Sequence, residues 1–232
     1  MKELSLLEDH SLSPIMGEVY KRLRTNIEFS GDSKVISVTS CAAGDGKTSV
    51  SYYLACSMAK NGKKVLLIDA DLRNSTMHNR MKFDKNTDGL SHYLVGKAEA
   101  QEVLYKTSFQ GLFFIPSGAF SKNPSELFGN QRFANLIQSY RNLFDYIIID
   151  TPPVGAVVDA IVIANECDAY IIVTASGINS RSSVKQAIDD MSVAKANLLG
   201  VVVNKVEKNI SGHYSYKYEY GNNKSKKNME LL

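Results

Sequence analysis

The segment from Lys34 to Thr48, KVISVTSCAAGDGKT, constrains the fold of this 232-residue chain more than any other stretch. Val35, Ile36 and Val38 are β-formers, and the strand they predict runs straight into a glycine-rich loop. Gly44 and Gly46 permit backbone conformations and close approaches that a Cβ obstructs. Such a loop turns several N–H groups inward as an anion cradle, with a helix N-terminus behind it. Ala43, Gly44, Asp45, Gly46, Lys47, Thr48 and Ser49 are therefore the predicted nucleotide-binding loop. Lys47 is placed to reach the β- and γ-phosphates of ATP, and Thr48 to put its hydroxyl on Mg2+. The pattern G-x-x-x-x-G-K-[ST] is missed only at its first position, which is Cys41. A tight turn opening a helix would explain the glycines alone; strand, loop and helix in the required order favour phosphate binding.

The rest of the chain continues this alternation. Val35–Val38, Val65–Ile68, Leu112–Ile115, Tyr146–Ile149, Tyr170–Val173 and Leu198–Val203 read as buried strands. Helices are predicted at 15–29, 47–61, 125–141, 157–166 and 180–195, with Asn123-Pro124-Ser125-Glu126 as a helix start. Continuous apolar strands imply burial on both faces, as in a parallel sheet covered by helices. The fold class is α/β: a doubly wound, mostly parallel sheet of the P-loop NTPase type. The chain length suits one such domain, assigned to 1–206. After Val206 the apolar periodicity stops, and 207–232, rich in Lys, Asn and Tyr, is predicted to be a flexible tail.

Composition narrows the functional classes. The 27 Lys and Arg against 24 Asp and Glu leave a net charge of +3, too little for a nucleic-acid binder by bulk electrostatics. Cys41, Cys56 and Cys167 are far apart, without metal-ligand spacing, and suit a reducing compartment. The four histidines are equally scattered, so no zinc site is proposed. No signal peptide is visible, and the longest apolar run, Val154 to Ala164, is interrupted by Asp159. The expectation is a cytoplasmic protein that meets a membrane only through a partner.

Two further motifs fall at the ends of predicted strands, where open α/β sheets bind ligands. VLLIDADLR delivers Asp69 and Asp71 to one side of an extended segment. YIIIDTPP delivers Asp150. A lone Asp after a strand is often a turn or cap residue. Three of them joined to a phosphate loop converge on a metal–nucleotide site, and hard oxygen ligands suit Mg2+.

CAAGDGKT, VLLIDADLR and YIIIDTPP resemble the Walker A, A′ and B motifs of the bacterial tyrosine kinases of capsule and exopolysaccharide synthesis. The resemblance covers nearly the whole chain. It implies that Lys47 binds phosphates, that Thr48 and Asp69 hold Mg2+, and that Asp150 holds the metal's water shell. Asp71 would then be the base facing a tyrosine hydroxyl. Arg73 matches the family's arginine without a definite role, and Asn204, ending the last apolar strand, is the candidate for adenine contact. A separate transmembrane activator is implied as partner. Related P-loop ATPases that partition DNA or position division sites usually carry an extra lysine where this chain has Ala42, which favours the kinase. A switch ATPase and a nucleotide-gated scaffold are the alternatives.

The segments outside the sheet also fit the resemblance. Val19, Leu23 and Ile27 share one stripe of the helix at 15–29, with Glu18, Lys21 and Arg24 nearly opposite. A solvated charged face would look the same. The segment is similar to the family's E-x-x-R-x-x-R subunit-contact motif, which implies a homo-oligomer of ring form. Lys21 replaces the usual Arg and loses bidentate pairing, which bears on the strength of that contact. Tyr214, Tyr216, Tyr218 and Tyr220 alternate within seven residues. Period-two aromatics also fit a half-buried strand or a base-stacking cluster; the resemblance makes them an autophosphorylation cluster.

Overall fold

All six residues of the strand before the glycine loop are buried, because that strand lies inside the sheet with neighbours on both sides. The computed structural model describes residues 3–6, 12–83 and 87–206. In chain order its elements are β1 (Glu3–Leu6), α1 (Pro14–Phe29), β2 (Val35–Ser40), α2 (Lys47–Lys60), β3 (Val65–Asp69) and β4 (Met81–Lys82). There follow α3 (Leu90–Leu94), α4 (Ala100–Val103), β5 (Tyr105–Thr107), β6 (Leu112–Ile115), α5 (Pro124–Phe128) and α6 (Gln131–Arg141). The last are β7 (Tyr146–Asp150), α7 (Asp159–Ala164), β8 (Ala169–Ala175), α8 (Arg181–Met191) and β9 (Asn197–Asn204). The sheet order is β4-β1-β5-β6-β3-β7-β2-β8-β9. From β6 to β9 every pairing is parallel; only β1–β4 and β5–β6 are antiparallel.

Side-chain alternation divides the core into two layers. Val35, Leu66, Ile68, Ile147 and Ile149 pack towards α3–α8, with Phe133, Leu136 and Ile163 among their partners. Ile36, Val38, Val65, Leu67 and Ile148 pack towards α1 and α2, against Ile27, Val50, Leu54 and Met58. From β2 the chain moves outward to β3, and from β7 it returns past β2 to β8 and β9. That reversal puts the glycine loop at the carboxyl edge, where such sheets bind ligands.

Several expectations need correction. Leu198–Val203, predicted to be buried, belongs to β9, the edge strand among the described residues, where Leu198, Val201 and Val203 are exposed. An edge strand has no neighbour on its outer side, so its apolar character does not report two-sided burial. The helix predicted over 125–141 is two helices, because Gly129 ends α5 and the Asn130 side chain accepts from the Arg132 amide to start α6. The stripe on α1 is rotated: Tyr20 and Ile27 are buried, while Val19 is exposed. Arg24 therefore does not share the outer face with Glu18 and Lys21. Its Nη1 donates to the Ser57 carbonyl of α2 at 3.0 Å, whereas Glu18 and Lys21 pair with each other at the surface. β1, β4, β5, α3 and α4 were not anticipated, being too short to show a period. The tail and its four tyrosines lie outside the described residues.

Asp168 fastens three of these elements. Its carboxylate accepts from the Lys34 and Val35 amides at 2.9 and 2.8 Å, which fixes the start of β2 beside β8. It also receives a bidentate fork from Arg141 of α6 at 3.0 and 2.8 Å. Burial alone would raise its pKa, but Arg141 and the two amides hold it below the usual carboxylate value. Asp168→Asn is expected to cost about 1.5–3 kcal/mol in urea unfolding at pH 7. Because the folded pKa is depressed, this contribution is present above about pH 4 and is lost as pH falls through the folded value. The difference between wild type and variant therefore shrinks at low pH.

Candidate active site

The glycine loop is shaped by contacts that no local pattern contains. Gly44 and Gly46 have φ of +84° and +94°, and Gly46 ends the loop as the N-cap of α2. No side chain of the described residues caps that helix. Its first amides and its dipole therefore face the loop, the arrangement that binds phosphate. A Cβ on Gly46 would lie 2.1 Å from the Asn204 Nδ2, so close packing against β9 requires glycine here. Asn204 Nδ2 donates to the Asp45 carbonyl at 2.9 Å. The buried Asp45 carboxylate accepts from the Ala42 amide at 2.8 Å, from Asn179 at 2.7 Å and from the Ala175 amide at 3.3 Å. Its side chain is thus a strut of the loop, and Asn204 braces the same turn. Cys41 is accommodated in place of the usual glycine, buried, with its carbonyl under Gly155, where a Cβ would come within 2.2 Å.

The carboxylates converge because of strand register. Asp69 and Asp150 are paired positions at the ends of the parallel strands β3 and β7, and each is about 1% exposed. Asp71 is not on an extended segment. The strand ends at Asp69, and the Asp71 amide turns back to donate to the Asp69 Oδ1 at 3.2 Å. Ser75 donates a short hydrogen bond to Asp69, and Ser51 donates to Asp150 at 3.0 Å. Lys47 Nζ lies 3.2 Å from the Asp71 Oδ2 and 3.5 Å from the Thr48 hydroxyl. Lys47, Thr48, Asp69, Asp71 and Asp150 are therefore one contiguous cluster.

The electrostatics follow from burial. Desolvation, helped by the charge of Asp150, pushes Asp69 up to about 7. Asp150 is raised to about 6, again by desolvation, with Lys47 and the Thr48 and Ser51 hydroxyls moderating the rise. Burial opposes the Lys47 ammonium, yet Asp150 and Asp71 more than offset this and hold its pKa above the ordinary lysine value. Three buried carboxylates, Asp69, Asp71 and Asp150, with one ammonium are short of positive charge, which fits a divalent cation. Among the described residues no group of three or more His, Cys, Asp or Glu forms a metal cage. The donor set of Asp69, Asp150 and the Thr48 hydroxyl fits Mg2+, which takes few protein ligands and completes its shell with water and phosphate.

Beside the cluster, Arg73 and its partner Asp159 were legible only in part. Arg73 forks onto Asp159 at 2.7 and 3.1 Å, and the Asp159 side chain is fully buried. This ties the turn carrying Asp71 to α7. In the sequence Asp159 stands out as a lone charge inside an apolar run, a signal of a buried partner. Arg80 donates to Ser49 at 2.8 Å and to the Tyr53 hydroxyl at 3.1 Å, fastening the segment after the carboxylates onto α2. Nothing in the sequence pattern pointed to Arg80.

The raised carboxylates generate a pH signature. Because their folded pKa values exceed the unfolded ones, the metal-free protein is expected to lose stability as pH rises from about 4 towards 7. Mg2+ requires ionised ligands, so binding near pH 6.5 must expel protons. Calorimetry of Mg-ADP binding at pH 6.5, in two buffers of different ionisation enthalpy, should show net proton release that disappears by pH 8.5. Identical enthalpies in both buffers at pH 6.5 would contradict the assigned burial.

Comparison with known proteins places this geometry. A family model described as an AAA domain matches residues 33–202. The tyrosine-protein kinase CpsD of Streptococcus agalactiae is 43% identical over 195 residues, covering 84% of each chain. The kinase domain of the Escherichia coli tyrosine kinase ETK superposes with a TM-score of 0.78 at 34% identity, covering 87% of this chain and 80% of that one. The septum site-determining protein MinD of Pyrococcus horikoshii, complexed with Mg-ADP, is more distant, with a TM-score of 0.62 and 25% identity over 73% and 69% of the two chains. The alternating strands, the glycine loop and the paired carboxylates are those of a P-loop fold, and the chain belongs to the bacterial tyrosine-kinase family of capsule and exopolysaccharide systems.

Proposed function

We propose that this chain transfers the γ-phosphoryl group of ATP to tyrosine hydroxyls, those of its own tail included. The observation that carries this reading is the Lys47–Asp71 pair at 3.2 Å, beside the buried carboxylates Asp69 and Asp150. It sets a phosphate-binding ammonium and a proton acceptor at one point. Thr48, Asp69 and Asp150 would hold Mg2+, which would supply neutralisation of the phosphate charge. The loop from Ala43 to Ser49 binds the phosphates through its amides and the dipole of α2. Lys47 holds the transferring group, and Asn204, at the loop's far side, adjoins the base. Asp71 orients the tyrosine hydroxyl and accepts its proton; with a loose transition state, positioning contributes most of the acceleration.

Residues 1–206 then act as the kinase domain, and 207–232 as the substrate tail carrying Tyr214, Tyr216, Tyr218 and Tyr220. α1 is the proposed contact between subunits of a ring. Glu18 and Lys21 lie on its surface beside exposed Ile15, Met16 and Val19, an apolar and charged face suited to a second subunit. Arg24 would support this contact from within, by fixing α1 to α2. Among the described residues no helix is long and apolar enough to cross a membrane. The proposed role is regulation of capsule or exopolysaccharide synthesis, from the cytoplasmic face, with a transmembrane activator supplied by another chain. Ala42, in place of a loop lysine, favours this over a DNA- or septum-directed ATPase.

Incubation with Mg-ATP and anti-phosphotyrosine detection tests the reading. Lys47→Met should abolish signal with the fold intact by circular dichroism. Asp71→Asn should lower the transfer rate by about 10²–10⁴-fold with little change in ATP affinity. ATP hydrolysis without phosphotyrosine, in wild type supplied with the activator, would support the switch ATPase instead. Mixing Lys47→Met with an active protein truncated after Val206 asks whether transfer crosses subunits; phosphate on the Lys47→Met tail is the expected result.

A further inference from the structure

The carboxyl edge of the sheet has a direction. Asn204 ends β9, the glycine loop follows β2, Asp150 ends β7 and Asp69 ends β3. A nucleotide laid from Asn204 across the loop points its terminal phosphate towards β3. The next strand along is β6. Between the segment after β3 and the segment after β6 lies a cleft of about 630 Å³, lined by Ser75, His78, Lys82, Phe83, Gly118 and Phe120 among others. That volume is within the range of about 300–1,000 Å³ that holds small ligands. Ser75 joins the cleft to the catalytic cluster, because this lining residue donates its hydroxyl to Asp69.

We infer that this cleft seats the acceptor peptide, and that Lys82 makes it prefer a peptide already bearing a phosphotyrosine two residues from the tyrosine being modified. The inference rests on the kinase reading above and adds the substrate's chemistry to it. Phe120 is 69% exposed and Phe83 is half-buried, and together they offer flat apolar surface for phenol rings. Lys82 and His78 are exposed, and no carboxylate is among the described residues lining the cleft. Gly118, at φ +79°, is held close to the start of α3, where a Cβ would meet Ser91 Oγ and His92 Nδ1 at 2.6 and 2.8 Å. The described lining thus sets aromatic rings beside the Lys82 ammonium, the pairing that receives a phosphorylated tyrosine.

The tail supplies the matching occupant. In an extended peptide, residues i and i+2 face the same way about 6.4–6.8 Å apart. Tyr214, Tyr216, Tyr218 and Tyr220 keep that spacing. The side chains of 211–232 carry a net charge of +2, from Lys217, Lys224, Lys226 and Lys227 against Glu219 and Glu230, so Lys82 gains nothing from the unmodified tail. One phosphate adds about −1.5 to −2. The first transfer is therefore slow, and each phosphotyrosine helps seat its neighbour. In every transfer the bond from Pγ to the bridging β,γ-oxygen breaks and a bond from Pγ to the tyrosine oxygen forms. ADP leaves, and the phenol proton passes to Asp71.

Peptides spanning residues 212–222 test this with the full-length chain and Mg-ATP. Tyr216 is the only acceptor and the other tyrosines are Phe, apart from a phosphotyrosine at 214 in one peptide and at 218 in another. At least one phosphopeptide should be used with a kcat/KM about tenfold above the all-Phe peptide, mainly through KM, as expected for one charge-assisted contact. Lys82→Glu should bring that ratio to one, Lys82→Arg should preserve it, and high salt should shrink it. Equal kcat/KM for all three peptides in wild type overturns the inference, as does a ratio that survives in Lys82→Glu. Fluorescence anisotropy of the labelled phosphopeptides with Mg-ADP tests the cleft without catalysis. Binding weakened by Lys82→Glu supports the cleft even if no transfer occurs, which would count against the kinase reading alone. Affinity equal to the all-Phe peptide would count against the cleft.

Discussion

Two carboxylates held side by side inside the protein set the terms for everything around them. Asp69 and Asp150 face each other because β3 and β7 are parallel and in register, and both are buried at the carboxyl edge. Like charges at such a place repel, and burial penalises each of them. The chain answers with Lys47 from the start of α2, with hydroxyls from Ser51 and Ser75, and with the backbone turn that brings the Asp71 amide onto Asp69. The remaining deficit of positive charge is a binding preference for a cation and its phosphates. In the proposed kinase, stability given up in the free protein would become affinity for Mg-nucleotide.

The phosphate loop depends on the far strands as much as on its own glycines. Asp45 reaches Ala175 and Asn179 after β8, and Asn204 at the end of β9 presses on Gly46 and holds the Asp45 carbonyl. Beyond Asn204 the described residues run to Val206. The end of β9 therefore lies against the glycine loop.

Legibility in the sequence followed the range of the interaction. Apolar runs report burial, so the central strands from Val35, Val65, Leu112, Tyr146 and Tyr170 were readable within a residue or two. The run at Leu198–Val203 misled because apolar composition does not distinguish a central strand from an edge covered on one face. The helix at 125–141 misled because its period continues across Gly129 and Asn130, which break the backbone but not the pattern. On α1 a shift of one residue in the buried stripe turned Arg24 inward, since Val19 and Tyr20 are both apolar and only the packing partner, α2, decides between them.

The sequence by itself determined the phosphate loop, the carboxylates and the alternation of strands and helices, because each is a local pattern whose chemistry needs particular residues at fixed spacing. Lys47 must follow Gly46, and Asp69 must end an apolar strand, wherever the rest of the chain goes. Only the tertiary structure decided which groups meet. Strand order brought Asp150, 81 positions beyond Asp69, to its side. The same order made Asp159 the partner of Arg73, engaged the Asp45 side chain as a strut of the loop, and opened the cleft between the segments after β3 and β6. Those contacts join residues far apart in sequence, and their partners are chosen by the topology of the sheet, which no local period encodes.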